Sequence, residues 1–294
     1  MRLALAGDTM LGRGVAEALR ERPPESLFAP ELVEITRSAD LFVCNLECCI
    51  SERGRRDPTR VFTFRAPPVA VEALVHVGVD CVTLANNHAL DYGLDALLDT
   101  LEHLRSAGIA VAGAGANVDE ARRPATVGRL SVVSFTDHPA QYAAGPDRPG
   151  VAFADLAHGP PDWVLETIRS LTPPVLVSPH WGPNMAARPL PSHRRAARAF
   201  LDAGASVVAG HSAHVYHGVE GRVLYDLGDF LDDYAVDHVL RNDLGLLFLV
   251  DLDGEPQVEI VPLKLEYAHT RLADGEDAEW IRRRFEAACA ELTR

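Results

Sequence analysis

Val82-Thr83-Leu84-Ala85-Asn86-Asn87-His88 is the stretch that decides how this chain is read. Four residues suited to a buried strand are followed at once by two amides and an imidazole. Buried polar groups cost free energy unless they find partners, so this mixture just past an apolar run does little for folding. It suits a site that needs a neutral oxygen ligand and an imidazole for ligation or proton transfer. Asp91, three residues beyond His88, is placed to fix the tautomer of that ring.

Five other segments repeat the arrangement. Leu3-Ala4-Leu5-Ala6 ends in Gly7-Asp8, and Leu41-Phe42-Val43-Cys44 in Asn45-Leu46-Glu47. Val175-Leu176-Val177-Ser178 leads to His180-Trp181-Gly182, Val207-Val208-Ala209 to Gly210-His211-Ser212-Ala213-His214, and Val223-Leu224-Tyr225 to Gly228-Asp229. One such ending carries little weight. Six predict a layered fold that delivers carboxylates, an amide and imidazoles to one sheet edge, where a polynuclear metal site can be assembled from distant residues.

Spacing within the segments adds detail. In an extended Asn45-Leu46-Glu47 the two polar side chains share a face, as a ligand and its hydrogen-bonding partner would. The same pattern also suits an edge strand with exposed polar groups. His211 and His214, three apart, fall on one side of a turn or helix start. Position alone leaves Asp8 equally open to capping the next turn. The aspartates 226, 229, 232 and 233 repel one another unless cations are near, and a solvated acidic loop is the alternative. Asp137-His138 is a further pair at a strand end.

The chain has 294 residues, 47% hydrophobic and 24% charged, which is ordinary for a globular protein. A net charge of −14, from 42 acidic and 28 basic residues, argues against nucleic acid as a partner. The short basic clusters at Arg53-Gly54-Arg55-Arg56, His193-Arg194-Arg195 and Arg282-Arg283-Arg284 do not change that. No targeting segment precedes the first strand, and no apolar run nears the roughly 20 residues of a spanning helix. The five cysteines (44, 48, 49, 81 and 289) form no CxxC pair and predict reduced core thiols. These features set the expectation of a cytoplasmic protein without membrane contact.

Strand-like runs alternate with helical patterns, which predicts an α/β layered domain spanning residues 1–294. Strands are expected at 2–7, 40–45, 61–65, 80–84, 109–112, 130–135, 174–179, 205–209, 222–226, 245–252 and 256–262. Helices are expected near 13–21, 30–37, 68–77, 93–107, 162–171, 191–203 and 276–293. Residues 244–261 read as a hairpin turning at Asp253-Gly254. Pro139 to Pro161 is the most loop-like stretch. The chain lacks GxSxG, GxxxxGK[ST] and HExxH, and has no GxGxxG after the first strand. Its catalytic resources are therefore carboxylate, amide and imidazole.

Taken in order, Gly7-Asp8-Thr9-Met10-Leu11-Gly12-Arg13, Asn45-Leu46-Glu47, Thr83 to Gly93, His180-Trp181-Gly182, Gly210 to Val215 and Leu227-Gly228-Asp229-Phe230 resemble the CapA family. These are bacterial capsule (poly-γ-glutamate) synthesis proteins similar in fold to calcineurin-like metallophosphoesterases, and the resemblance runs from residue 1 to about residue 235. It implies a four-layer α/β/β/α sandwich of metallophosphoesterase type with one or two divalent ions, Mn, Fe or Zn, at the strand ends. Asp8 would be a first-site ligand, Glu47 would stand at the bridging position, and Asn87 and His180 would be second-site ligands. His211 and His214 would complete the sites. His88, oriented by Asp91, would protonate the leaving group, and Asn45, Asn86 and Asp229 would face substrate. Met10 departs from the superfamily, which usually has a histidine there, and Asp229 stands where the family commonly has asparagine.

The expected activity is that of a metal-dependent hydrolase acting on a phosphoester or other small anionic substrate. Two alternatives stand beside it: a non-hydrolytic accessory role toward an anionic polymer such as poly-γ-glutamate, or lyase or amide chemistry on the same metal site. Loops 51–66, 137–161 and 183–192 are where substrate contacts are expected.

Overall fold

The computed structural model describes residues 1–254 and 256–293; Glu255 and Arg294 lie outside the described residues. Two sheets face each other. The first runs, strand beside strand, His269–Leu272, Gln257–Glu266, Leu244–Asp251, Arg2–Thr9, Leu41–Leu46, Cys81–Thr83 and Ala110–Ala112, with Asp229–Leu231 paired to the end of Arg2–Thr9. The second runs Val219–Glu220, Val223–Leu224, Val207–Ala209, Val175–His180, Leu130–Thr136 and Ala125–Val127.

Side-chain alternation builds the layers, because successive residues of a strand point to opposite faces. Leu3 and Leu5 enter the core between the sheets with Val43, Leu130, Val132, Leu176 and Val207. Ala4, Ala6, Phe42 and Cys44 point the other way and pack against helices Arg13–Glu21, Pro30–Ser38, Ala70–Val77 and Leu94–Ser106 through Val15, Leu32, Leu74 and Leu97. On the far side, Val133, Phe135, Val175 and Val177 meet helices Asp162–Ser170 and Pro191–Ala203 through Val164, Ile168, Ala196 and Phe200. The result is an α/β/β/α sandwich. The last helix, Gly275–Leu292, contributes Ile281 to the inter-sheet core.

The expected helices all form, and the hairpin pairs Asp251 with Gln257 and Leu244 with Lys264. The strand expected at 61–65 does not. Only Arg65–Ala66 is extended and paired, against Cys49–Ile50, while Val61 and Phe62 are exposed at 79% and 60%. A β-branched residue and aromatics favour a strand only where a partner and a half-buried face exist, and Val61 and Phe62 have no ladder partner and face outward. Between Pro139 and Pro161 the chain forms the short helix Ala140–Tyr142 and pairs Gly150–Val151 with Ala114–Gly115. All five cysteines are free, four of them buried.

Parallel pairing sets the site. Arg2–Thr9, Leu41–Leu46 and Cys81–Thr83 run parallel in the first sheet, and Leu130–Thr136, Val175–His180 and Val207–Ala209 in the second. Their carboxyl ends lie on one side, where open α/β sheets present ligand sites. Gly7 makes one close approach possible: a Cβ there would sit 1.9 Å from the Gly228 carbonyl oxygen. With none, the Asp8 amide donates to that oxygen at 2.9 Å, which brings Asp229 level with Asp8 in register.

Candidate metal centre

Asp8 leaves the first strand fully buried, and two histidines from the second half of the chain close on it. His211 Nδ1 lies 3.6 Å from Asp8 Oδ1, and His214 Nδ1 lies 3.4 Å from Oδ2. The two rings converge without a helix. Ser212 and His214 take φ of 121° and 60°, in the left-handed region that disfavours side chains. Asp226 holds this loop by accepting from the amides of Ala213 and Gly228, both at 2.9 Å. Backbone strain of this kind persists where the surroundings over-determine it, and it clusters at functional sites.

Two overlapping sets of donor atoms result. Asp8, His180 and His211 form one, and Asp8, Glu47 and His214 the other; within each set the ligand atoms lie inside 4.8 Å of one another. Asp8 belongs to both. The resemblance would put Glu47 at the bridging position; in these two sets the recurring residue is Asp8. His180 reaches the site through the His180–His211 bridge, with the two Nδ1 atoms 2.8 Å apart. Met10 is fully buried in the helix-side core, and its sulfur accepts from the Gly12 amide at 3.0 Å, so it is not among these donors.

The residues fit a cation. Asp8 Oδ2, Glu47 Oε1, Asn87 Oδ1, His180 Nε2 and Asp229 Oδ2 are all buried without a hydrogen-bond partner. Buried polar atoms are normally partnered, and those of Asp8, Glu47 and His180 fall in the two close donor sets, so an ion there would satisfy them. The electrostatics agree. Burial pushes Asp8 up, as it does Glu47, which the Asp8 charge raises further. Burial and the neighbouring Asp232 push Asp229 up as well. Burial drives His211 down to about 3 and His180 well below its usual value, with His211 adding to the latter. His214 runs the other way: burial would lower it, but the carboxylates of Glu47 and Asp8 raise it. A mixed oxygen and nitrogen donor set suits Mn, Fe or Zn.

Beside the donor sets, His88 Nδ1 lies 2.6 Å from Asp91 Oδ2. Asp91, fully buried, also accepts from the Phe64 amide at 2.7 Å, from Tyr142 at 3.3 Å, and pairs with Arg60 at 3.3 Å. The His88 ring packs on Phe64 with centroids 4.0 Å apart, and burial lowers its pKa against the pull of Asp91. Asn45 and Asn86 spend their amides inside the protein. Asn45 donates to Asp8 Oδ1 at 2.7 Å, and Asn86 donates to Asn45 and to the Leu46 carbonyl while accepting from the His88 amide. Asp229 Oδ1 lies 2.8 Å from His214 Nδ1.

Several partners were not singled out from the sequence. Thr83 binds Asn45 and approaches His211, Tyr234 donates to Glu47 at 3.3 Å, and Arg60 and Tyr142 brace Asp91. Tyr234 lay within the noted acidic segment. Nothing local distinguished Arg60 from its solvated neighbours.

These features define an α/β/β/α protein with a buried carboxylate–imidazole centre able to hold divalent cations. The chain belongs to the bacterial capsule synthesis protein family PGA_cap, whose profile matches residues 2–234. It is 32% identical to a probable polyglutamine synthesis accessory protein of Mycobacterium tuberculosis, over 96% of this chain and 89% of the relative. It is 27% identical to the PGA biosynthesis protein CapA of Bacillus subtilis, over 90% of this chain and 72% of the relative. The capsule biosynthesis protein CapA of Bacillus anthracis matches at 26%, over 90% and 67%. Among the described residues no helix is long and apolar enough to cross a membrane.

Proposed function

We propose that this protein is a divalent-metal-dependent hydrolase of a small organic anion, with a phosphoester as the leading substrate class. The observation that carries the reading is the pair of close donor sets that share Asp8, in which Asp8 Oδ2, Glu47 Oε1 and His180 Nε2 are buried without a hydrogen-bond partner. Asp8, His180 and His211 would hold one ion, and Asp8, Glu47 and His214 a second. Divalent cations there would supply Lewis acidity, neutralising an oxyanion and acidifying water. Asn87 Oδ1, buried and unpartnered beside them, adds a neutral donor. His88 faces the adjoining cavity, and Asp91 at 2.6 Å stabilises the protonated ring that a proton donor to the leaving group needs. Asn45 and Asn86 hold Asp8 and the His88 backbone in place, and Asp229 orients His214.

Chelation with EDTA should abolish turnover of phosphate esters, and Mn²⁺ or Zn²⁺ should restore it. His88→Ala should lower kcat about 10²- to 10⁴-fold with bound metal unchanged by elemental analysis. Unchanged turnover in that variant would remove His88 from the chemistry.

A second reading has its own support, since relatives carry names of accessory and biosynthesis proteins for polyglutamine and PGA. On it, the same centre would bind an anionic polymer without cleaving it. Metal-dependent binding of γ-linked polyglutamate with no product over long incubation would favour it. Nucleic acid and membranes are not proposed as partners on either reading.

A further inference from the structure

A cavity of about 710 Å³ reaches the edge of the donor cluster, with Asn87, His88 and His214 in its lining. That volume suits a small molecule, within the roughly 300–1,000 Å³ of ordinary ligand sites. Its walls are of two kinds. Arg13 and Arg60 supply guanidinium groups, each tethered by one carboxylate: Arg13 to Asp233 at 2.7 Å and Arg60 to Asp91 at 3.3 Å. Opposite chemistry comes from Val61, Phe62 and Val236, which line the cavity yet stand 79%, 60% and 43% exposed. Large exposed apolar side chains gathered around a polar floor mark a recognition surface. Arg13 also lies over the rings of Phe62 and Phe64 at 5.8 and 5.3 Å, so cation and aromatic wall are one unit.

From this we infer the substrate class: an amphipathic small molecule with a single anionic head, phosphate-like and placed at the donor cluster, and an aromatic or branched alkyl body against Val61, Phe62 and Val236. The inference rests on the metal-dependent reading above for where the head binds, and takes the body from the cavity wall. A polyanion fits less well. Both arginines are already neutralised by a carboxylate, Asp237 adds negative charge to the lining, and the chain carries −14 overall. A chain of repeated carboxylates would meet repulsion and leave the apolar wall unused.

Two phosphonates that cannot be hydrolysed isolate the body from the head. Calorimetric titration of the Mn²⁺-loaded protein with phenylphosphonate and methylphosphonate should show phenylphosphonate binding about tenfold tighter, the worth of a partly buried ring. Phe62→Ala, a substitution at an exposed position, should shrink that preference to about threefold or less, and Val61→Ala should reduce it in the same direction. Equal affinity of the two phosphonates, no binding of either, or tighter binding of a γ-linked glutamate oligomer would overturn the inference. A preference that survives both substitutions would overturn it too. Phenol release from phenyl phosphate is scored separately. Preferential phenylphosphonate binding without phenol release sinks the hydrolase reading and leaves the substrate class standing. Phenol release with no phenylphosphonate preference does the reverse.

Discussion

Two buried acidic clusters in this protein solve the same electrostatic problem in different ways. Asp243, 8% exposed, sits against Arg241 at 2.7 Å and Lys264 at 2.5 Å, and both cations also reach Asp277. The cluster carries its own positive charge. At the strand ends, Asp8, Glu47 and Asp229 are at least as deeply buried, yet their ion-pairing groups among the described residues are imidazoles. The consequence appears in their titration. Burial would raise Asp243, but hydrogen bonds from Arg241 and Lys264 bring it down to about 2, whereas Asp8, Glu47 and Asp229 are all pushed up. A buried carboxylate stays charged when a cation is built in beside it. A cluster lacking one is pushed toward the neutral, protonated form unless another cation is supplied.

The sharpest way to break this contrast is Asp8→Ala. Because Asp8 belongs to both donor sets, its loss should empty the centre and lower hydrolysis by about 10³-fold or more, with circular dichroism unchanged. Retention of the wild-type metal content by elemental analysis would show that Asp8 is not shared. Next in size is the stabilisation by metal. Mn²⁺ at a hundredfold its dissociation constant should add about 2.7 kcal/mol, a rise in Tm of about 5 °C for a chain this long. The rise should vanish in Asp8→Ala and persist in Asp243→Asn.

Asp243→Asn probes the other side of the comparison. The Asp243 carboxylate has a folded-state pKa lowered to about 2, so its stabilisation is fully present above the unfolded value near 4 and is lost as pH falls toward 2. The variant should be about 2 kcal/mol less stable in denaturant titration at pH 7, and the deficit should shrink below pH 4. A deficit independent of pH would mean packing, not charge, is lost. Smallest is Met10→Leu, a swap of similar volume in the core. It should cost under about 1.5 kcal/mol and leave metal content unchanged; a lost equivalent would make the Met10 sulfur a ligand.

Much of the fold was legible because it follows from short-range regularities. The alternation of Leu3, Ala4, Leu5 and Ala6 assigns one side chain to the inter-sheet core and the next to the helix layer, and the helix spacing in 94–106 needs no tertiary knowledge. The 61–65 stretch misled, because strand propensity found a pairing neighbour only at its last residue, Arg65. His211 and His214 were picked out by a spacing that suits a turn or a helix start, and the structure has no helix there. The loop reaches the same convergence through left-handed backbone at Ser212 and His214, held by Asp226, which accepts from the Ala213 amide thirteen residues earlier. Arg60 was not legible as a site residue, since its bond to Asp91 spans thirty-one positions (91 less 60) and leaves no local mark.

From local pattern alone it follows that apolar strands end in polar side chains of metal-ligand type, and therefore that a layered α/β protein presents carboxylates, an amide and imidazoles at one edge. The reason is that the period of two and the identity of strand-end residues are local properties. That Asp8 recurs in both donor sets was decided by tertiary structure alone. So was the turning of Asn45 and Asn86 inward as braces, and the backing of the cavity by Val61, Phe62 and Val236. Those outcomes depend on the register between Asp8 and Asp229, the crossing of two sheets and the path of distant loops. Each is a distance between residues far apart in the chain, which only the packed fold fixes.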